Sequence, residues 1–121
     1  MIEEVVKQVL NNEELISLVG VDKNKNPKLY LLKAPDNTTA PYIEYEVLNE
    51  EGSLFAENKE IGTKFRIQID VFTKGSYIEI VKVIKKLMKE NEFMKEFGGS
   101  LFEEKTKLFH YILRFNYESE E

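Results

Sequence analysis

The sequence predicts an α+β domain with a mainly antiparallel sheet and helices packed on one face, in the order α-α-β-β-β-α-β-β. Three observations predict it. Apolar residues recur at helical spacing over the first ten positions. A strictly alternating stretch, Phe65 to Val71, runs through Thr73-Lys74-Gly75 into a second helical pattern. The chain then closes on a long alternating run rich in aromatic residues, Lys107 to Tyr117. Strands joined mostly by turns, with the helices gathered on one side, define that class.

Taken in order, Ile2, Val5, Val6, Val9 and Leu10 make one apolar helix face. Asn11 or Asn12 interrupts it, and Asn11 followed by Glu14 predicts the cap of a second short helix, "EELISLV", closed by Gly20 in a left-handed conformation. The polar "DKNKNPK" is a loop. Leu29 to Ala34 reads as a short strand, and Pro35 to Pro41 as a second loop. In "YIEYEVL", Ile43, Tyr45 and Val47 share one strand face, and Tyr42, Glu44 and Glu46 the other. Asn49 to Thr63 is polar and reads as a long loop, weakly ordered in an isolated copy.

The strand that follows sets Phe65, Ile67, Ile69 and Val71 against Arg66, Gln68 and Asp70. Ser76 with Glu79 forms a capping-box pattern for the next helix. That helix has an apolar stripe of Tyr77, Ile80, Val81, Ile84, Leu87 and Met88, and a lysine row, Lys82, Lys85, Lys86 and Lys89, on its outer side. Gly98-Gly99 predicts a turn into a short strand at Leu101 to Glu104. In the last strand Phe109, Tyr111, Leu113, Phe115 and Tyr117 face one way, and Leu108, His110, Ile112 and Arg114 the other.

The chemistry-bearing residues give no enzyme signature. The 121 residues amount to one domain, and 42% hydrophobic content argues against disorder. A net charge of −5, with acids spread along the chain, does not favour phosphate-backbone binding. The lack of cysteine excludes disulfides, zinc-thiolate sites and a cysteine nucleophile. The acidic start reads as neither a signal peptide nor a membrane span, and the sequon at Asn37 reads as an ordinary loop. His110, the single histidine, lies within an apolar strand and is expected to be structural. Glu44, Glu46 and Asp70 share a polar face with Arg66 and Gln68, for which cross-strand pairing is the simplest account. Gly75-Ser76 lacks the glycines of a phosphate loop and the flanking pattern of a nucleophile elbow. The lysine row has the spacing of a solvated helix face.

Taken together, "LISLVG", "PYIEYEV", "RIQIDVFTKGSYIEIVKVIKKLM" and "TKLFHYILRFNY" resemble the tail-completion, or tail-terminator, proteins of long-tailed bacteriophages and prophages. The resemblance spans nearly the whole chain and includes no catalytic motif. It implies a non-enzymatic virion protein without cofactor or metal. Such a protein forms a ring, usually a hexamer, on the finished tail tube. It ends tail growth and offers the tail-side surface for joining the head connector, and DNA crosses the central hole without specific binding. The implied partners are further copies of the chain, the tail-tube protein and the head-tail connector proteins, with no membrane. The implied location is the virion tail, assembled in the host cytoplasm. A ring needs a heterologous interface. Edge strands and the Asn49–Thr63 segment are its expected donors, with Leu54, Phe55, Glu57, Lys59, Ile61 and Lys64 as contact residues. The alternative is a small ligand-binding or adaptor domain using the polar face around Glu44, Glu46, Arg66 and Asp70.

Overall fold

The computed structural model describes residues 1–55 and 59–119, with backbone alone at 53–55 and 59–61. The elements are α1 (Ile2–Leu10), α2 (Glu13–Val19), β1 (Leu29–Leu31), β2 (Tyr42–Phe55), β3 (Lys59–Thr73), α3 (Ile78–Glu90), β4 (Met94–Glu103) and β5 (Leu108–Ser119). The expected order of elements is the observed one.

Helix α1 forms on its apolar spacing and buries Ile2, Val6 and Leu10. The cap of α2 is Asn12 rather than Asn11. Its side-chain oxygen accepts the N–H groups of Glu14 and Leu15 at 2.9 and 3.2 Å. Gly20 ends this helix at φ +83°, where a side chain would be strained. Helix α3 begins at Ile78, two residues after Ser76, whose Oγ still accepts the Ile78 N–H at 3.2 Å. Glu79 lies 3.9 Å from Lys82, so the expected reciprocal capping box gives way to a surface ion pair.

The five strands lie in the order β1-β2-β3-β5-β4. All neighbours are antiparallel except β1 and β2, which are parallel. Helix α3 carries the chain from β3 to the far edge strand β4, and β5 returns to fill the gap between them. The helices cover one face of this sheet. Ile43 and Tyr45 of β2, Ile67, Ile69 and Val71 of β3, and Leu113 and Phe115 of β5 join the buried residues of all three helices in one apolar cluster. Each such aliphatic side chain contributes about 1.5–3 kcal/mol when fully buried. Val83 joins this cluster although it lies off the expected stripe, whereas Tyr77 packs only partly.

Three expectations are corrected. Asn49–Phe55 and Lys59–Thr63 are not loop: β2 and β3 stay paired from Asn49↔Arg66 out to Phe55↔Lys59, and residues 56–58 lie outside the described residues. Polarity misleads there because a projecting two-stranded arm needs no buried face, and its ladder is held by backbone bonds. Two bulges, at Val47/Asn49 and Ser53/Leu54, absorb the changes of register. Gly98-Gly99 is likewise not a turn but the middle of β4, opposite Leu113 and Ile112. Aromatic side chains occupy the space over these glycines. A Cβ on Gly98 would lie 3.1 Å from Tyr111 Oη, and one on Gly99 3.1 Å from Phe97 Cζ. The β4–β5 turn comes later, at 104–107, with Lys107 at φ +61°. Finally, β1 stops at Leu31 because Leu32 adopts φ +66° and turns the chain out of the strand.

Candidate functional site

The face of the sheet away from the helices carries the polar residues that alternation places there, and the structure draws several of them together. Register sets Glu44 beside Asp70 and Phe72 beside His110. His110 Nε2 lies 2.7 Å from Asp70 Oδ1, and Nδ1 lies 3.3 Å from Glu103 Oε2. The second contact has ion-pair distance but poor hydrogen-bond geometry, so Glu103 acts on the ring chiefly through its charge. Burial alone would lower the His110 pKa. The hydrogen bond and charge of Asp70, with the charge of Glu103, outweigh that and raise it above 6.5. Burial also raises the Glu44 carboxyl, opposed by the Ala34 N–H that it accepts at 2.8 Å.

The cluster extends on both sides. His110 stacks on Phe72 at 4.2 Å, and Phe72 on Tyr42 at 4.8 Å. Gln68 Nε2 donates to both Asp70 oxygens at 3.1 Å, and its Oε1 accepts from Arg114 Nε at 2.8 Å. Arg66 pairs with Glu96 on the β4 bulge, not with Asp70 or the β2 glutamates. The expected cross-strand pairing is therefore present with different partners. Sequence reasoning missed Glu103, because its approach to His110 depends on β4 lying next to β5. Chemically, the arrangement is a clamp. Both imidazole nitrogens face carboxylates, so the ring has no lone pair directed at a substrate or metal. Among the described residues, no group of three or more His, Asp or Glu side chains has the arrangement to hold a metal ion.

The turn between β3 and α3 is occupied by structural bonds. Thr73 Oγ1 donates to the Gly75 carbonyl at 2.7 Å, and Ser76 Oγ serves the helix start. The lysine row is engaged in part: Lys86 lies 3.7 Å from Glu14 of α2, and Lys85 sits 5.9 Å from the Tyr111 ring centre.

The expected interface residues are divided along the arm. Leu54 and Phe55 end β2, and Lys59 and Ile61 begin β3, with Leu54 opposite Glu60 and Phe55 opposite Lys59. Glu57 lies outside the described residues. Lys64 sits lower, between Glu51 and Glu118. With Asn49, Glu51, Arg66 and Asn116 it lines a small polar cleft of about 200 Å³. A larger cleft of about 500 Å³ lies between the loops flanking β1, lined by Asp22, Lys28, Tyr30, Asp36 and Thr39 among others. Among the described residues, no helix is long and apolar enough to cross a membrane.

No protein-family model matches the chain, and no curated protein matches it. Its fold is similar to that of a solved chain described as "Virion of native gene transfer agent (GTA) particle". The two share a TM-score of 0.65 and 16% sequence identity, over 96% of this chain and 92% of the other. At that identity the likeness establishes a shared fold over nearly the whole chain.

Proposed function

We propose that this protein is a structural component of a phage-like virion, and specifically a tail terminator. Copies assemble as a ring, six in number, on the end of the finished tail tube. The ring stops growth of the tube and presents the surface that joins the head connector, leaving a central hole for DNA. The observation that carries this reading is the fold shared along nearly the whole chain with a chain from a gene transfer agent virion. The net negative charge suits a channel that DNA must cross without adhering. A non-enzymatic role is supported by the clamp on His110 and the capping role of Ser76, which employ the nucleophile and base candidates structurally.

The test is deletion of the gene from the phage or prophage that encodes it. The expected result is tails of uncontrolled length that do not join heads, restored by supplying the protein in trans. Tails of normal length joined to heads would overturn the reading. A second reading, a small ligand-binding or adaptor domain, draws on the cleft beside Asp22, Lys28 and Tyr30. Saturable amide shifts confined to those residues on titration with small polar ligands would favour it.

A further inference from the structure

Two edges of the sheet are open, on opposite sides. Strand β4 is the outermost strand on one side and pairs only with β5 among the described residues. On the other side β1 covers β2 only at Ile43, Glu44 and Tyr45, so the outer side of β2 from Glu46 to Gly52 has no strand beside it among the described residues. The rim of β1 is itself closed by local bonds. The Leu29 N–H donates to the Pro27 carbonyl, and the Leu31 carbonyl accepts from the Lys33 N–H, each at 2.8 Å. We propose that β4 of one copy pairs antiparallel with the Glu46–Gly52 side of β2 in the next copy, so that one sheet continues from subunit to subunit. The proposal rests on the ring reading above and names the interface that would close it.

Direction, shape and charge all fit this partner. Strands β2 and β5 run one way, β3 and β4 the other. Placing β4 beside the next copy's β2 therefore keeps the antiparallel alternation across the joint. The joint is heterologous, the kind that generates a ring when its rotation closes. Strand β4 presents Phe97, Leu101 and Phe102 to solvent, each more than two-fifths exposed. It has no proline within it, and its bulge between Lys95 and Phe97 and its charges, Lys95, Glu96 and Glu103, lie at its ends, away from the stretch 97–102. A long apolar edge of this kind pairs with another chain unless something covers it. The β2 side carries Glu46, Glu50 and Glu51. On the β4 side Glu96 is paired with Arg66 and Glu103 lies against His110, while Lys95 is the one cation of the strand. Lys95 can thus meet the acidic side of β2 across the joint.

The chain has no cysteine, so cross-linking can be placed at will. Ser100→Cys marks β4 and Asn49→Cys marks β2, and a short bis-maleimide joins thiols that meet. The protein is treated at high concentration and on the ends of purified tail tubes. The double variant is expected to give a ladder from dimer to closed ring. An equal mixture of the two single variants is expected to give dimers only, and each single variant alone no product. Efficient dimers from Ser100→Cys alone, with no ladder from the double variant, would overturn the proposal in favour of a two-fold β4–β4 contact. Rings seen by electron microscopy without any ladder would overturn the edge pairing and leave the ring reading standing. A protein that stays monomeric in both settings, with normal tails on gene deletion, would overturn both. As a second measure, the double charge reversal Glu50→Lys with Glu51→Lys is expected to weaken assembly about tenfold, and Lys95→Glu in the neighbouring copy to restore it. Circular dichroism checks that each variant is folded, and no restoration by Lys95→Glu would count against the pairing.

Discussion

His110 shows how a residue's role is set by what surrounds it. In isolation it is a candidate base, but here it is a ring held between the carboxylates of Asp70 and Glu103. Its folded pKa is raised, so the folded state binds the proton more tightly than the unfolded chain does. The stabilisation is therefore fully present below about pH 6.5 and is lost as pH rises through the raised folded value. We expect His110→Gln to destabilise the protein by about 1–3 kcal/mol at pH 6 and by clearly less at pH 9. Urea titrations at both pH values measure this, and an equal loss at each would contradict the clamp. Asn12 makes a smaller contribution of a different kind. Removing its two capping bonds in Asn12→Ala should cost about 1 kcal/mol with little pH dependence, measurable as a lower denaturation midpoint.

Two elements show where strand and turn chemistry diverge from first appearance. The outer part of the β2–β3 hairpin has neither β1 nor β5 beside it beyond the Thr63↔Ser119 pair. Two strands alone are marginally stable in water. Backbone amides at 53–55 should therefore exchange faster in the isolated protein than those of Ile67–Val71, which sit in the middle of the sheet. Equal protection along both stretches by hydrogen exchange would show that the arm is held by something more than its own ladder. In β4 the glycine pair serves packing. Gly98→Val would push against Tyr111 and Leu113 and is expected to cost about 1–3 kcal/mol. Gly99→Ala should cost less, because the Phe97 ring over it is half exposed and can swing aside. Thermal melts of the two variants compare them directly.

At the scale of the whole molecule, one apolar layer joins three helices to the inner face of the sheet, while the other face holds a polar network. Leu113 lies fully buried at the centre of that layer, and Leu113→Ala should cost about 2–5 kcal/mol, read as a shift in the urea midpoint. The helices seal one side, while β4 and the Glu46–Gly52 side of β2 have no strand beside them among the described residues. On the proposed reading, the chain serves as a tail terminator and uses these edges to join copies of itself. Tail length in a deletion strain and a cross-link ladder report on the two halves of that statement separately.

The sequence by itself determined the class, the order of the elements and the alternating faces of β2, β3 and β5. Period-2 and period-3.6 patterns are local, and Ile67, Ile69, Val71 and the α3 stripe obey them without reference to distant residues. It also showed that Gly75-Ser76 lacks phosphate-loop spacing. Only the tertiary structure decided what depends on neighbours in space. A polar run such as Asn49–Gly52 is strand because a second strand pairs with it, and Gly98-Gly99 is strand because aromatic rings fill the room above it. Glu103 reaches His110 because β4 folds back on β5 at the 104–107 turn, and Arg66 reaches Glu96, 30 residues on, because β5 brings β4 close to β3. Which edges stay open follows from strand order, a property that no local pattern carries.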